Sequence, residues 1–293
     1  MAKFVLSAFA DEASPILDEQ IIALKQNGID YIEPRKIDGK GVQELTEEEL
    51  ISIKAKLDAN GIKVNSIGSP IGKYNIDDDF EPHLELTKKM IRACELLDTK
   101  YMRMFSFFTT QDDLQKNRDE VIKRLSVMAA EAKNSGITLC HENESRIYGQ
   151  MPGEVRDILE SVPDLGGIFD AANYRMNDAD VIDGINATLI NFKYMHIKDA
   201  IFESQTIVPA GEGEGKIGEI IDIINEKVDG VVYLTLEPHL HVFDAYKDID
   251  EHELKGKYTF NNNREAFDFA VNALKKLLTE RGYERNENNE WIK

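Results

Sequence analysis

The chain has 293 residues, with 54 acidic against 35 basic side chains, so its formal net charge is −19 at pH 7. A field of that sign repels phosphate backbones and anionic surfaces, and no apolar run approaches the roughly 18 residues of a membrane span, so neither nucleic acid nor membrane is an expected partner. The chain opens without a secretory pattern and has two cysteines, too few for a disulfide framework, so we expect a cytoplasmic protein.

Short strand-like runs alternate with longer helix-like runs along the whole chain. In chain order the predicted strand and helix pairs are 4–10 and 14–28, 30–35 and 46–61, 63–69 and 83–98, 101–108 and 114–135, 137–144 and 152–162, 165–174 and 179–188, 191–200 and 217–228, and 231–239 and 263–282. Eight successive βα units favour a parallel sheet closed into a barrel, with a doubly wound open sheet as the alternative. We predict an α/β chain with a single (β/α)8 TIM barrel over residues 1–282 and a polar C-terminal extension at 283–293.

Local signals predict where several elements begin. Ser14 and Pro15 form an N-cap and N1 pair for the first helix, and Thr46 and Glu49 have the spacing of a capping box for the second. His83 is predicted at the start of the third helix, on the surface.

The final four predicted strands all end in polar residues of metal-ligand types. Side chains alternate between the two faces of a strand, so the residues predicted to face the barrel axis are Glu142, Asp170, His196 and Glu237. The carboxyl ends of barrel strands carry the active site, and three carboxylates gathered there repel one another unless a cation lies between them. A solvated acid at a loop edge explains any one of these residues, whereas a metal site explains all four.

The ligand types indicate which metal is expected. Carboxylates suit Mg²⁺ and Mn²⁺, and an imidazole extends the range to Co²⁺ and Zn²⁺, so a divalent ion is predicted, with Mn²⁺ favoured. Because no cysteine belongs to the set, we expect an open site with room for substrate oxygens rather than a closed structural zinc.

Short stretches at the ends of these strands carry a family resemblance. They are Glu142-Asn143, Asp170-Ala171-Ala172-Asn173, His196-Ile197-Lys198-Asp199, Leu236-Glu237-Pro238 and the segment VPAGEGEG at 208–215. Over residues 3–282 the chain resembles the xylose isomerase-like TIM-barrel superfamily of sugar isomerases and epimerases. The resemblance implies these metal ligands: Glu142, Asp170, His196 and Glu237. It also implies that Glu142 and Glu237 are the catalytic pair that moves the substrate proton.

Six further residues near the strand ends are expected to bind substrate: Glu33, Arg103, Glu144, Asn173, Lys198 and His239. Ketose epimerases of the family carry a histidine where this chain has Asn173, and an arginine shortly after the histidine of the seventh strand. This chain has no arginine between His196 and Arg264. Sugar binding near the ends of the sixth and seventh strands is therefore expected to differ from that of these epimerases.

Alternatives remain for several of these residues. A structural salt bridge explains Glu33 and Arg103 equally well, and loop packing is the alternative for His239. Coordination to a metal would lower the pKa of a glutamate and weaken it as a base, so Glu144 or Lys198 is a rival for that role.

The predicted function is a divalent-metal-dependent sugar isomerase or epimerase that acts on a ketose or aldose by proton transfer through a metal-stabilised enediolate. The alternatives are a metal-dependent lyase or hydrolase on the same scaffold, such as a dehydratase or a carbon-glycoside-cleaving enzyme, and a non-catalytic metal- or sugar-binding barrel. The loops after the seventh and eighth strands are rich in acids, so the sugar is expected to be unphosphorylated. A homo-oligomer is an open alternative to a monomer.

Two other features of the sequence lie outside the set of strand ends. Gly213, Gly215 and Gly218 match a dinucleotide-binding spacing but follow no predicted strand, so no such site is expected. The connection at 240–262 is long for a barrel loop and is predicted to cover the sugar or to form an oligomer contact.

Overall fold

The computed structural model describes residues 1–240 and 260–293. Most of the predicted covering loop at 240–262 lies outside the described residues. The strands are β1 (Ala2–Ala8), β2 (Tyr31–Ile32), β3 (Lys36–Ile37), β4 (Lys40–Gly41), β5 (Lys63–Val64), β6 (Tyr101–Met104), β7 (Thr138–Glu142), β8 (Gly166–Asp170), β9 (Phe192–Ile197), β10 (Asp199–Ile201), β11 (Thr206–Val208), β12 (Gly230–Leu236), β13 (Glu284–Arg285) and β14 (Glu290–Ile292). The α-helices are α1 (Leu17–Gln26), α2 (Glu47–Ala59), α3 (Phe80–Leu96), α4 (Arg118–Asn134), α5 (Pro152–Ser161), α6 (Ala171–Met176), α7 (Val181–Thr188), α8 (Ile217–Lys227) and α9 (Asn263–Glu280).

Eight parallel strands close into a barrel. The sheet runs β6, β7, β8, β9, β12 and β1, and β2 pairs in parallel with β5. Backbone hydrogen bonds join the two pieces, because Glu33 N donates to Ala8 O at 3.0 Å and Ile67 N donates to Tyr101 O at 3.1 Å. The circuit therefore returns to its first strand, which confirms the predicted (β/α)8 barrel and excludes the open sheet.

The barrel interior and the barrel surface hold different residues of the same strands. A small cluster from β7, β8 and β9 fills the interior and packs against two partly buried tyrosines; its buried members are Cys140, Ile168 and Tyr194. The neighbouring positions along these strands belong to the main core, which packs with the helices; examples are Leu139, Phe169 and Met195. This alternation sends every second side chain of a strand inward, so the polar residues at the strand ends project to one place.

The C-terminal tail packs on the barrel. β13 and β14 form an antiparallel pair, and β14 pairs with β1 so that Trp291 lies opposite Phe4. The Trp291 side chain is buried in the main core. Among residues 1–240 and 260–293, no helix has the length and apolar character needed to cross a bilayer.

The helix starts agree only in part with the sequence. The Thr46 hydroxyl accepts from Glu49 N at 3.2 Å and the Glu49 carboxylate accepts from Thr46 N at 2.9 Å, so the predicted capping box is confirmed. The predicted start of the first helix at Ser14 is wrong, because α1 begins at Leu17. The Ser14 hydroxyl accepts from Ile16 N and so forms a local turn that precedes the helix.

The predicted surface position of His83 is also wrong. His83 lies in the first turn of α3, is 3% exposed and accepts a hydrogen bond from Gly72 N at 2.9 Å. Its ring stacks on Tyr74 with 4.8 Å between centroids. Burial, together with the nearby charge of Arg124, lowers its pKa to about 4.

Candidate metal centre

Four strand ends bring their polar side chains to one point. Glu142 ends β7, Asp170 ends β8, His196 lies near the end of β9, and Glu237 directly follows β12. Asp170 and Thr235 both lie beside His196 in the strand register. One ligand atom from each member of the set lies within 4.8 Å of the others, and all four residues are buried: Glu142, Asp170, His196 and Glu237. The structure thus brings together the residues that the strand pattern selects, and their role as ligands stays a prediction.

The imidazole faces two of the carboxylates. His196 Nδ1 lies 2.9 Å from Glu142 Oε1 and 3.5 Å from Glu237 Oε2. Burial opposes the charged form of His196, but the charges of Glu142 and Glu33 outweigh it and raise the pKa of the imidazole to about 10. Burial also opposes ionisation of Glu142, and here the charges of His196 and Arg103 prevail and lower the pKa. The site therefore strongly favours positive charge among its carboxylates.

Lys198 contributes an ammonium group to the same cluster. Its Nζ lies 2.9 Å from Asp170 Oδ2 and 3.3 Å from Glu237 Oε2. Burial, the largest effect on Asp170, raises the pKa of that carboxyl to about 7 although Lys198 acts against it. Burial opposes ionisation of Glu237, but the charges of Lys198, His196 and Arg35 outweigh it and keep the pKa well below its ordinary value.

The donor set fits a divalent cation. Three buried carboxylates and one imidazole are the ligand types that Mn²⁺, Mg²⁺, Co²⁺ and Zn²⁺ accept. Asp170 Oδ2 is buried and makes no well-aligned hydrogen bond among the described residues, so it retains a free lone pair beside the other donors. Lys198 Nζ lies 2.9 Å from this oxygen, so what favours a metal is the gathering of three buried carboxylates and one imidazole at one point.

Arg103 and Asn173 both contact Glu142. Arg103 Nη1 lies 3.4 Å from Glu142 Oε2, and the same guanidinium donates to the carbonyls of Gly68 and Ser69. Asn173 Nδ2 lies 3.4 Å from Glu142 Oε1 and donates to the Asn143 carbonyl at 2.8 Å. These contacts orient the carboxylate of Glu142.

Glu144 lies further out. Its carboxylate pairs with Lys73 at 3.3 Å, and both side chains are partly exposed. Of the six residues expected to bind substrate, Glu144 therefore has the most exposed side chain.

A second group adjoins Glu237 and includes residues that the sequence prediction omits. His239 Nε2 lies 3.2 Å from both Glu12 Oε1 and Glu237 Oε1. Arg35 contacts Asp11 at 3.0 Å and Glu12 and Glu237 at 3.4 Å. Burial raises the pKa of Glu12 to about 8. Arg35 is the last residue of the predicted strand 30–35, so the strand-end pattern could have identified it, whereas Glu12 ends the 3-10 helix Ala10–Glu12 that follows β1 and no such pattern marks it.

Glu33 lies on the other side of the imidazole. Its Oε1 accepts from the Tyr194 hydroxyl at 2.8 Å, and its Oε2 lies 3.4 Å from His196 Nε2. Its side chain is completely buried. The role in substrate binding stays a prediction for all six residues to which the sequence assigns it.

Comparison with solved structures identifies the fold independently. The chain is similar to the probable 3-DHS dehydratase AsbF of Bacillus anthracis, with a TM-score of 0.70, 16% identity, and coverage of 93% of this chain and 98% of that one. It is similar to the IolI protein with a bound zinc atom, with a TM-score of 0.71, 15% identity, and coverage of 95% and 99%. It is also similar to a D-psicose 3-epimerase solved with D-fructose, with a TM-score of 0.70, 18% identity, and coverage of 95% and 99%. At these identities the likeness is one of fold.

The sequence comparisons give one further result each. No curated protein matches the chain significantly. The model of the xylose isomerase-like TIM barrel family matches residues 21–282, which includes all four strand ends of the candidate metal centre. The chain therefore belongs to the xylose isomerase-like TIM barrel family.

Proposed function

We propose that the protein is a divalent-metal-dependent isomerase or epimerase of an unphosphorylated sugar, with Mn²⁺ as the favoured ion. The observation that carries the proposal is the buried cluster of three carboxylates and one imidazole at the carboxyl end of the barrel. A divalent ion held by these four residues would supply Lewis-acid polarisation of the substrate carbonyl.

Glu142 and Glu237 are the proposed proton-transfer pair. They lie on β7 and after β12, with β8 and β9 between them in the barrel, so they approach the centre from different directions. Removal of a proton next to a carbonyl needs a base within hydrogen-bond reach, and epimerisation needs an acid on the other face of the same carbon. Cationic partners keep the pKa of both carboxylates low despite burial, so both are ionised at neutral pH, and the same low pKa makes each a weak base. Glu144 remains the alternative base, whereas Lys198 is held as an ammonium ion because the charges of Asp170 and Glu237 outweigh its burial and raise its pKa.

The loop after β9 supports an unphosphorylated substrate. In TIM barrels, loops after the last strands commonly bind phosphate through backbone amides. Here the amides of Gly211, Gly213 and Gly215 donate to the two carboxylate oxygens of Asp199 at 2.9, 3.0 and 2.8 Å. Because an internal carboxylate already accepts these hydrogen bonds, the same amides are not available to a phosphate ester.

A metal-dependent dehydratase is the second candidate. Lys198 favours it, because its ammonium group lies against Asp170 and Glu237 at the centre and could give a proton to a departing hydroxyl. Elimination and epimerisation share the first step, the removal of a proton next to a carbonyl, so the same carboxylates serve both reactions.

Turnover of a panel of free ketoses with Mn²⁺ in D₂O tests the proposal. We expect deuterium at the epimerised or isomerised carbon, because the proton passes through a carboxylate that exchanges with solvent. The Glu142→Gln protein should lose turnover, and Glu154→Gln, a buried glutamate on α5, is the matched control that should not. Product that lacks deuterium after one turnover, or a Glu142→Gln protein with its full rate, contradicts the assignment. Loss of water from the substrate would favour the dehydratase.

A further inference from the structure

A line of buried polar groups leads from the candidate metal centre into the barrel interior. His196 Nε2 lies 3.4 Å from Glu33 Oε2, Glu33 Oε1 accepts from the Tyr194 hydroxyl at 2.8 Å, and that hydroxyl lies 2.8 Å from Ser66 Oγ. All four side chains have 0% exposure. Water therefore has no access to these groups, and they must satisfy one another.

His196 and Glu33 face each other through one ring nitrogen and one carboxylate oxygen. Neither His196 Nε2 nor Glu33 Oε2 makes a well-formed hydrogen bond among the described residues, although both are fully buried. At 3.4 Å they lie slightly beyond the usual hydrogen-bond length, so a small movement of either group forms the bond. Burial of an unpaired donor or an unpaired acceptor is unfavourable, so His196 Nε2 and Glu33 Oε2 each reduce the cost of burying the other.

Packing fixes the plane of the imidazole ring. Phe9 makes an edge-to-face contact with His196 at a centroid distance of 5.0 Å, and Tyr194 makes another at 5.6 Å. With the ring held in this way, Nδ1 faces Glu142 and Glu237 and Nε2 faces Glu33. One ring nitrogen is therefore directed to the predicted metal ligands, and the other is directed to Glu33.

We propose that Glu33 is a positioning residue for His196: it accepts the Nε2 proton and so leaves Nδ1, which faces Glu142 and Glu237, as the ring nitrogen that would bind a metal held between these carboxylates. The Tyr194 hydroxyl in turn donates to the Glu33 carboxylate, and Ser66 Oγ pairs with that hydroxyl. A carboxylate in this position also makes the imidazole a better metal ligand, because it stabilises the positive charge that coordination places on the ring. The inference rests on the proposed function only in assuming that His196 binds a metal, and it replaces the direct substrate contact expected for Glu33.

Titration of the metal-free protein with Co²⁺ alone tests the role of Glu33. The Glu33→Gln protein should bind Co²⁺ about 10- to 100-fold more weakly than the wild type. Its visible absorption spectrum in the Co²⁺ form should also change, which a merely structural role would not produce. Tyr194→Phe should weaken binding by a smaller factor, because it removes one hydrogen bond to Glu33 and leaves the carboxylate in place.

Matched controls separate this effect from a general loss of stability. Glu154→Gln changes a buried glutamate on α5 that accepts from Gly149 N and Met151 N, and Tyr148→Phe removes a hydroxyl that donates to Asp157. Both controls should keep the wild-type affinity for Co²⁺ and the wild-type spectrum.

The outcomes are distinguishable. Wild-type Co²⁺ affinity and spectrum in Glu33→Gln overturn the inference, and an increased KM for a sugar in that protein would assign Glu33 to the substrate. Where Glu33→Gln does not fold, an unchanged affinity in Tyr194→Phe overturns it instead. Loss of affinity in Glu33→Gln with no turnover of any ketose by the wild type supports the inference and contradicts the proposed function.

Discussion

Replacement of Asp199 by asparagine tests how the loop beside the candidate metal centre is held. The carboxylate accepts four backbone N–H groups: Oδ1 accepts from Ala200 at 2.9 Å and Gly215 at 2.8 Å, and Oδ2 accepts from Gly211 at 2.9 Å and Gly213 at 3.0 Å. Asparagine keeps one oxygen and turns the other acceptor into an NH₂ donor, so two backbone N–H groups lose their partner. At about 1–3 kcal/mol for each hydrogen bond to this buried carboxylate that is lost, we expect a loss of about 2–6 kcal/mol in the free energy of unfolding.

Urea unfolding of Asp199→Asn and a matched control measures this loss. Asp180, the N-cap of α7, also accepts two backbone N–H groups, from Ile182 at 2.8 Å and Asp183 at 3.0 Å, but it is exposed to water. Asp180→Asn should therefore cost no more than the roughly 0.5–2 kcal/mol of a lost cap. If Asp199→Asn is no less stable than Asp180→Asn, the loop does not depend on the buried carboxylate and the reasoning is refuted.

Two further predictions concern stability. His83 has a pKa of about 4 in the folded protein against an ordinary 6.5, so the unfolded chain binds more protons between these values and stability falls as the pH is lowered through that window. The stability advantage of the wild type over His83→Gln should therefore shrink by about 1 kcal/mol between pH 6.5 and 5.5 in urea unfolding, and a constant difference would contradict the assigned pKa. Trp291→Ala should lose about 3–5 kcal/mol in the same assay because the side chain packs in the core, whereas the half-exposed Ile292→Ala should lose much less. Equal losses in the two variants would contradict the burial of Trp291 as the cause of its larger loss.

The candidate metal centre could be predicted from the sequence because it follows from two simple regularities. Side chains alternate along a strand, and parallel strands of a barrel end at the same edge, so ligand-type residues at four consecutive strand ends must meet. The strand register bears this out, since Asp170 and Thr235 both flank His196. Arg35, at the end of the predicted strand 30–35, follows from the same regularities, whereas Glu12, in the 3-10 helix after β1, does not.

The partner of His196 on its second nitrogen could not be predicted in this way. Glu33 follows a strand of only two residues, β2, and meets His196 and Tyr194 of β9 across the barrel interior. Contacts across a barrel depend on strand tilt and on the depth of each side chain, which a single sequence does not display. His83 shows the same difficulty, because its burial depends on how the loop that contains Gly72 folds over α3.

Elemental analysis of the purified protein tests the metal centre most directly. We expect about one divalent ion per chain in the wild type, as a single open site implies, and a marked loss of metal in both His196→Ala and Glu237→Gln because each removes one ligand. His83→Gln, which changes another buried histidine, is the control that should keep its metal. Full metal occupancy in both ligand variants would contradict the site.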